Sequence, residues 1–343
     1  MKKRIKYILI ISFLLLLVFC VINAYMNAKD RSLETEKRDK EREAKRGTYV
    51  IKRESNLYTL TSDKLIGKTL KNSFYDGTAV YLLYTDNNSG TLLKYVVSTK
   101  EVIVIFENNP DLVGGIEKFY GYYKIGNKLY DANFEKFILE KDIGDGEYLL
   151  KDLNTSIYNK DDGIYTKNLD TNEEENILLN SDINKYSIYD VDHESGYVLI
   201  ERESEGKKYI LVYDDKLNET GEFLIEDKDK SFKLIDNGKY LLKETKDSNL
   251  KDLYKIYDTS STSNVYTSDA DANNYLFMGT KFISNKDGNI NLSDYLSGEE
   301  RTLISKNNNK ANWFPKEFTL ADDSYSLFLR LDNNDRKFYL IYL

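Results

Sequence analysis

The sequence predicts an all-β fold, a β-propeller of about seven blades, following an N-terminal transmembrane helix and a charged helical stalk. Three observations lead to this reading. An uncharged apolar stretch lies close to the N-terminus, short β-branched and aromatic runs recur through residues 48–343, and a tyrosine returns near the end of each recurring unit.

The first element is a basic tail over residues 1–6, with Lys2, Lys3, Arg4 and Lys6. Residues 7–28 then carry no charge, and from Ile8 to Ile22 Ser12 is the only conventional polar side chain. As a helix this segment reaches about 33 Å, enough to cross a hydrocarbon core of about 30 Å. A cleaved signal peptide would need small residues at the cut, and Ile22-Asn23-Ala24 fits that pattern poorly. Lipidation at Cys20 would need a small residue before it, where Phe19 stands. The segment therefore reads as an uncleaved signal-anchor. The compact basic tail is expected on the cytoplasmic side, which puts the bulk of the chain outside the cell membrane.

Residues 29–47 are the stalk. They hold eight basic and six acidic side chains, with Glu34/Arg38, Glu36/Lys40 and Glu41/Lys45 at the i,i+4 spacing that supports a helix. Leu33 and Ala44 supply almost no apolar seam, so a coiled coil is not expected, and Gly47 is a helix stop.

Of the chain's net charge of −8, the tail and the stalk contribute +4 and +2, so residues 48–343 carry −14. That excess disfavours a nucleic-acid surface. One cysteine rules out an intrachain disulfide framework. One histidine, His193, leaves little for Cys/His metal sites.

Within residues 48–343 nearly every ordered stretch reads as strand. Ala79–Tyr84, Tyr197–Ile200, Tyr209–Tyr213 and Phe338–Tyr342 are examples, each bounded by Asn, Asp, Gly or Ser turns. The unit-ending tyrosines are Tyr58, Tyr95, Tyr130, Tyr165, Tyr213, Tyr257, Tyr295 and Tyr342. Their spacings of 37, 35, 35, 48, 44, 38 and 47 residues average about 41, the period of a four-stranded blade. Six or eight blades also satisfy this count, and tandem β-sandwiches or a β-solenoid are the competing all-β arrangements. The last run, Lys337–Leu343, has no strand after it, so ring closure is expected by pairing with the first, Thr48–Lys52. That pairing would bury Phe338 and Leu340 or their alternate neighbours.

With an aromatic closing a strand before an Asp turn, residues 48–343 resemble the TolB-like and YWTD-like β-propellers. The Trp-Asp dipeptide of WD40 blades is absent, and Gly114-Gly115 does not recur as kelch repeats require.

No catalytic, cofactor or metal residue is assigned. The tyrosines, 29 in all, are expected to pack in strands rather than stack on sugars, and Trp313 to pack in a blade. Asp190, Asp192 and Glu194 alternate as a calcium cage would need, but a strand resumes at Tyr197, so Asp190–Gly196 reads as a solvated hairpin turn. Asp269, Asp271 and Asn273 are a fainter version. His193 has no G-x-S-x-G partner and no phosphate loop is present. The expectation is a non-enzymatic module that binds another protein or an envelope ligand. The alternative is a carbohydrate-active enzyme in which carboxylates such as Asp161-Asp162 or Asp322-Asp323 converge at the propeller channel.

Overall fold

The computed structural model describes residues 49–343 apart from 141–143, 145, 269–272, 306–316, 321–325, 331–335 and 343. The expected membrane helix (7–28) and stalk (29–47) lie outside these residues. Among the described residues no helix is long and apolar enough to cross a membrane.

The strands β1 (Val50–Glu54) and β2 (Leu57–Thr61) form a hairpin. Six four-stranded antiparallel sheets follow in chain order. Blade 1 holds β3 (Thr69–Tyr75), β4 (Ala79–Thr85), β5 (Gly90–Val96) and β6 (Glu101–Asn109). Blade 2 holds β7 (Glu117–Phe119), β8 (Tyr122–Ile125), β9 (Lys128–Tyr130) and β10 (Phe137–Glu140). Blade 3 holds β11 (Glu147–Leu149), β12 (Thr155–Lys160), β13 (Gly163–Asn168) and β14 (Glu174–Leu179). Blade 4 holds β15 (Asn184–Val191), β16 (Val198–Ser204), β17 (Lys207–Tyr213) and β18 (Glu219–Leu224). Blade 5 holds β19 (Ser231–Ile235), β20 (Tyr240–Lys246), β21 (Asp252–Asp258) and β22 (Asn264–Thr267). Blade 6 holds β23 (Asn273–Met278), β24 (Lys281–Lys286), β25 (Asn289–Asp294) and β26 (Glu300–Ile304).

Blade 7 joins both ends of the domain. Its order is β27 (Glu317–Leu320), β28 (Ser326–Arg330), β29 (Lys337–Tyr342), then β2 and β1. The fold is a seven-bladed β-propeller closed by its first hairpin.

Seven of the eight tyrosines used to count units mark third strands, one per blade. Tyr95, Tyr130, Tyr165, Tyr213 and Tyr257 lie in β5, β9, β13, β17 and β21, Tyr295 directly follows β25, and Tyr342 ends β29. After the third strand an Asx turn recurs. Asp131, Asn168, Asp214, Asp258 and Asp294 each accept backbone N–H groups two to four residues ahead, which reverses the chain into the outer strand.

Alternation within a strand builds the core from both faces. In β4, Val80, Leu82 and Tyr84 pack toward blade 7, while Ala79, Tyr81 and Leu83 pack toward blade 2; all six are buried. In β16 and β17 the same split sends Val198, Ile200, Leu211 and Tyr213 one way and Leu199, Ile210 and Val212 the other.

The closing strand differs from the expected one. β29 pairs with β2, in the register Leu57↔Tyr339, Tyr58↔Phe338 and Thr59↔Lys337, and not with Thr48–Lys52. Arg336 O accepts from Leu60 N at 2.7 Å, and Asn56 O from Leu340 N at 3.0 Å. The reason lies in the side chains. β2 places Tyr58 and Leu60, each 1% exposed, into the slot between blades 7 and 1, where Tyr58 stacks on Phe338 at 5.1 Å. β1 carries Lys52, Arg53 and Glu54, cannot fill that slot, and turns back outside β2 as a fifth strand. Tyr58 is accordingly a closure residue rather than a unit marker. Phe338 and Leu340 are buried, as the alternation required.

Candidate functional site at the channel mouth

The first strands of five blades face the ring's centre. Residues of β3, β7, β19, β23 and β27 line a channel cavity of about 390 Å³ together with the turn after β15. A second cavity of about 600 Å³ opens from it, walled by turns between first and second strands. Lys118, Tyr123, His193, Glu194, Asp236 and Met278 border both. The two cavities form one mouth.

Among the described residues, none of blade 3 borders either cavity, and the turn Asp192–Gly196 of blade 4 reaches across to blade 2. Lys151 Nζ donates to Ser195 O at 3.2 Å and pairs with Asp215 at 2.9 Å, while Tyr120 OH donates to Leu149 O at 3.0 Å. At the far end, Tyr120 N donates to His193 O at 2.7 Å, and Lys118 pairs with Glu194 at 3.4 Å. The His193 ring lies 4.5 Å from Phe119 and edge-on to Tyr120 at 5.6 Å.

This corrects the solvated-turn reading of Asp190–Gly196. Asp192 closes the turn by accepting from Ser195 N at 3.1 Å and from the Ser195 hydroxyl. The turn then packs into the mouth, and His193 Nε2 is buried with no hydrogen-bond partner among the described residues. Burial, followed by the nearby Lys124 charge, holds the imidazole below its ordinary pKa. The alternating acids do not converge. Asp190 accepts from Val191 N, Glu194 faces Lys118, and Glu201 pairs with Lys208 at 2.6 Å. Among the described residues no three His, Cys, Asp or Glu side chains gather as a metal-holding group.

Two mouth turns use backbone that side chains rarely adopt. Tyr120 has φ 52° at the tip of the β7–β8 hairpin, an unfavourable state for a bulky residue, held by its bonds to His193 and Leu149. In the β19–β20 turn Asp236, Asn237 and Gly238 have φ 51°, 54° and 82°. A Cβ on Gly238 would meet the Tyr197 ring at 2.7 Å, so only glycine fits. Thr259 Oγ1 donates to Gly238 O at 3.0 Å and Lys239 O at 2.9 Å, fastening the turn from outside and leaving Asp236 and Asn237 facing the mouth.

The mouth carries both signs of charge. Burial, and after it the charges of Asp76 and Glu194, push the Tyr123 phenol at the mouth above its ordinary pKa. Such a surface offers hydrogen bonds and charge pairing to a ligand.

Of the residues singled out in the sequence, His193, Asp192 and Glu194 reach the mouth. Asp161-Asp162 lies in the β12–β13 turn at the opposite end of its blade, where Asp162 accepts from Tyr165 OH at 2.8 Å. Asp269, Asp271, Trp313, Asp322 and Asp323 lie outside the described residues. Sequence reasoning missed Asp236 and Tyr120. Asp236-Asn237-Gly238 was visible as a turn signature, but its place at the mouth depends on which end of the blade it occupies.

No protein family and no curated protein matches the sequence. Solved structures match over most of the chain at low identity. A chain of a mitotic checkpoint complex is 10% identical, covering 87% of this chain and 93% of that one, with a TM-score of 0.46. The WD40 domain of Toxoplasma gondii coronin is 12% identical, covering 86% and 89%, with a TM-score of 0.41. An oligogalacturonate lyase from Vibrio parahaemolyticus is 8% identical, covering 85% and 96%, with a TM-score of 0.37. The seven blades are read from this chain's own sheets.

Proposed function

We propose that the chain is a membrane-anchored, extracytoplasmic binding module that receives a protein partner at the channel mouth. The observation that carries the reading is the mouth itself, a concave surface of about 600 Å³ with mixed charge, exposed hydrogen-bonding groups and turns braced from behind. The uncharged segment 7–28 and its basic tail support the anchor and its orientation. A glycosidase needs two carboxyl groups across one scissile bond. At the mouth Asp192 is spent on its own turn and Glu194 on Lys118, so the binding reading is preferred.

The test is capture of the intact protein from its own membranes, followed by mass spectrometry, with wild type beside Ala132→Trp. Ala132 is an exposed wall residue whose enlargement narrows the mouth. Loss of a captured protein in the variant supports the reading, and an unchanged set of captured proteins refutes the mouth as the binding surface. Protease added to intact cells should digest the domain and spare Met1–Lys6. A protected domain would reverse the orientation.

A further inference from the structure

We infer that the mouth takes a basic side chain, lysine or arginine, of the protein partner, and that Asp236 is its anchor. This rests on the binding-module reading above. Asp236 borders both the channel cavity and the outer mouth. The other mouth carboxylates have occupations: Asp192 accepts the hydrogen bonds of its own turn, and Glu194 faces Lys118 at 3.4 Å. Among the described residues the Asp236 carboxylate accepts no hydrogen bond and forms no ion pair. The neighbouring Lys239 feels the Asp236 charge only at longer range and places its ammonium 5.1 Å over the Tyr240 ring. A half-buried carboxylate left in this state gains most from a charged donor, because its desolvation has been partly incurred already.

The surroundings leave room for that donor. Gly279 of the next blade stands beside the carboxylate, and even a Cβ there would lie 3.8 Å from Asp236 Oδ1. Two consecutive left-handed residues followed by Gly238, clamped by Thr259, fix the direction in which Asp236 points, so little ordering is needed when a ligand binds. Tyr122 and Met278 offer apolar surface for the methylene stem of a long basic side chain, while its charged end reaches the carboxylate. At longer range the charge of −14 on residues 48–343 attracts a basic partner and speeds encounter.

The experiment uses the full chain in phosphatidylcholine nanodiscs and four fluorescent peptides identical except for a central Lys, Arg, Gln or Glu. The Lys and Arg peptides should bind at least about tenfold more tightly than the Gln and Glu peptides, with affinity falling as NaCl is raised. Asp236→Asn, which keeps the shape and suits a left-handed position, should reduce Lys and Arg binding to the Gln level. Asp287→Asn, in the β24–β25 turn at the other end of blade 6, should leave the preference intact. Equal binding of the four peptides, no binding of any, or a basic preference that survives Asp236→Asn would each overturn the inference. Membrane capture by Asp236→Asn and Ala132→Trp separates the two ideas. Capture lost only in Ala132→Trp leaves the binding module standing without this anchor, and capture retained in both removes the mouth altogether.

Discussion

Phe338 is where the end of the chain locks onto its beginning, and replacing it measures how far the whole ring depends on that contact. Its side chain is 2% exposed, stacks on Tyr58 at 5.1 Å with rings 7° from parallel, and meets Tyr95 of blade 1 edge-on at 6.4 Å. Phe338→Ala removes a buried ring from between two blades that close on each other and cannot collapse into the space. The expected loss is about 3–5 kcal/mol, in the range for buried Phe→Ala changes. At about 2–4 °C per kcal/mol for a large domain, the transition should fall by about 6–20 °C. Tyr58→Ala should be similarly damaging, and the double variant should fall short of the sum by about 0.5–1.5 kcal/mol, the coupling of a stacked pair. Val50→Ala in the fifth strand, 43% exposed, should stay within about 0.5 kcal/mol of wild type. The assay is thermal unfolding of the full chain followed by near-ultraviolet circular dichroism. A Phe338→Ala transition within about 2 °C of wild type, or a Val50→Ala variant equally destabilised, would refute closure through β2.

Three further outcomes follow from the same packing. His193 is held below its ordinary pKa of 6.5 by burial and then by Lys124, opposed by Glu117, Asp190 and Asp192. The unfolded chain therefore binds the proton more readily, so stability present above about pH 6.5 should decline as the pH falls below it. His193→Asn should flatten the melting temperature between pH 7 and 5, and an unchanged slope would show that another group is responsible. Lys243 pairs at 2.6 Å with Asp229, whose side chain is 0% exposed, so Lys243→Ala leaves a buried charge unpaired and should cost about 3–5 kcal/mol in chemical denaturation. Lys243→Ala with Asp229→Ala should recover part of that loss. Gly221→Ala would push a Cβ to 2.3 Å from Thr259 O in the next blade and should destabilise by about 1–3 kcal/mol, which wild-type-like melting would disprove.

The local architecture was legible in the sequence because its causes are local. Continuous apolar runs such as Ala79–Thr85 fix two buried faces, and Asx turns such as Asp214 and Asp258 reverse the chain within four residues. Tyr95, Tyr213 and Tyr295, at or just past the ends of third strands, are buried between blades, and the recurrence of tyrosine in that strand let seven of them mark seven blades. Asp258 shows how local these turns are: the Ser260 hydroxyl and the Ser261 N–H lower its pKa to about 2 within a single loop.

The closing strand and the mouth were decided only by the tertiary structure. Val50–Glu54 and Leu57–Thr61 both look like strands, and which one meets β29 depends on the gap left between blades 7 and 1. That gap accepts Tyr58 and Leu60 but not Arg53 and Glu54. The mouth likewise joins Tyr120, His193 and Asp236 from blades 2, 4 and 5, residues separated by 73 and 43 positions, through the curvature of the ring. The Asp192–Gly196 turn then crosses from blade 4 to blade 2 and buries an imidazole that the sequence left in solvent. Side-chain alternation sets a strand, whereas the number of strands and the length of each neighbour set what the strand's ends will touch.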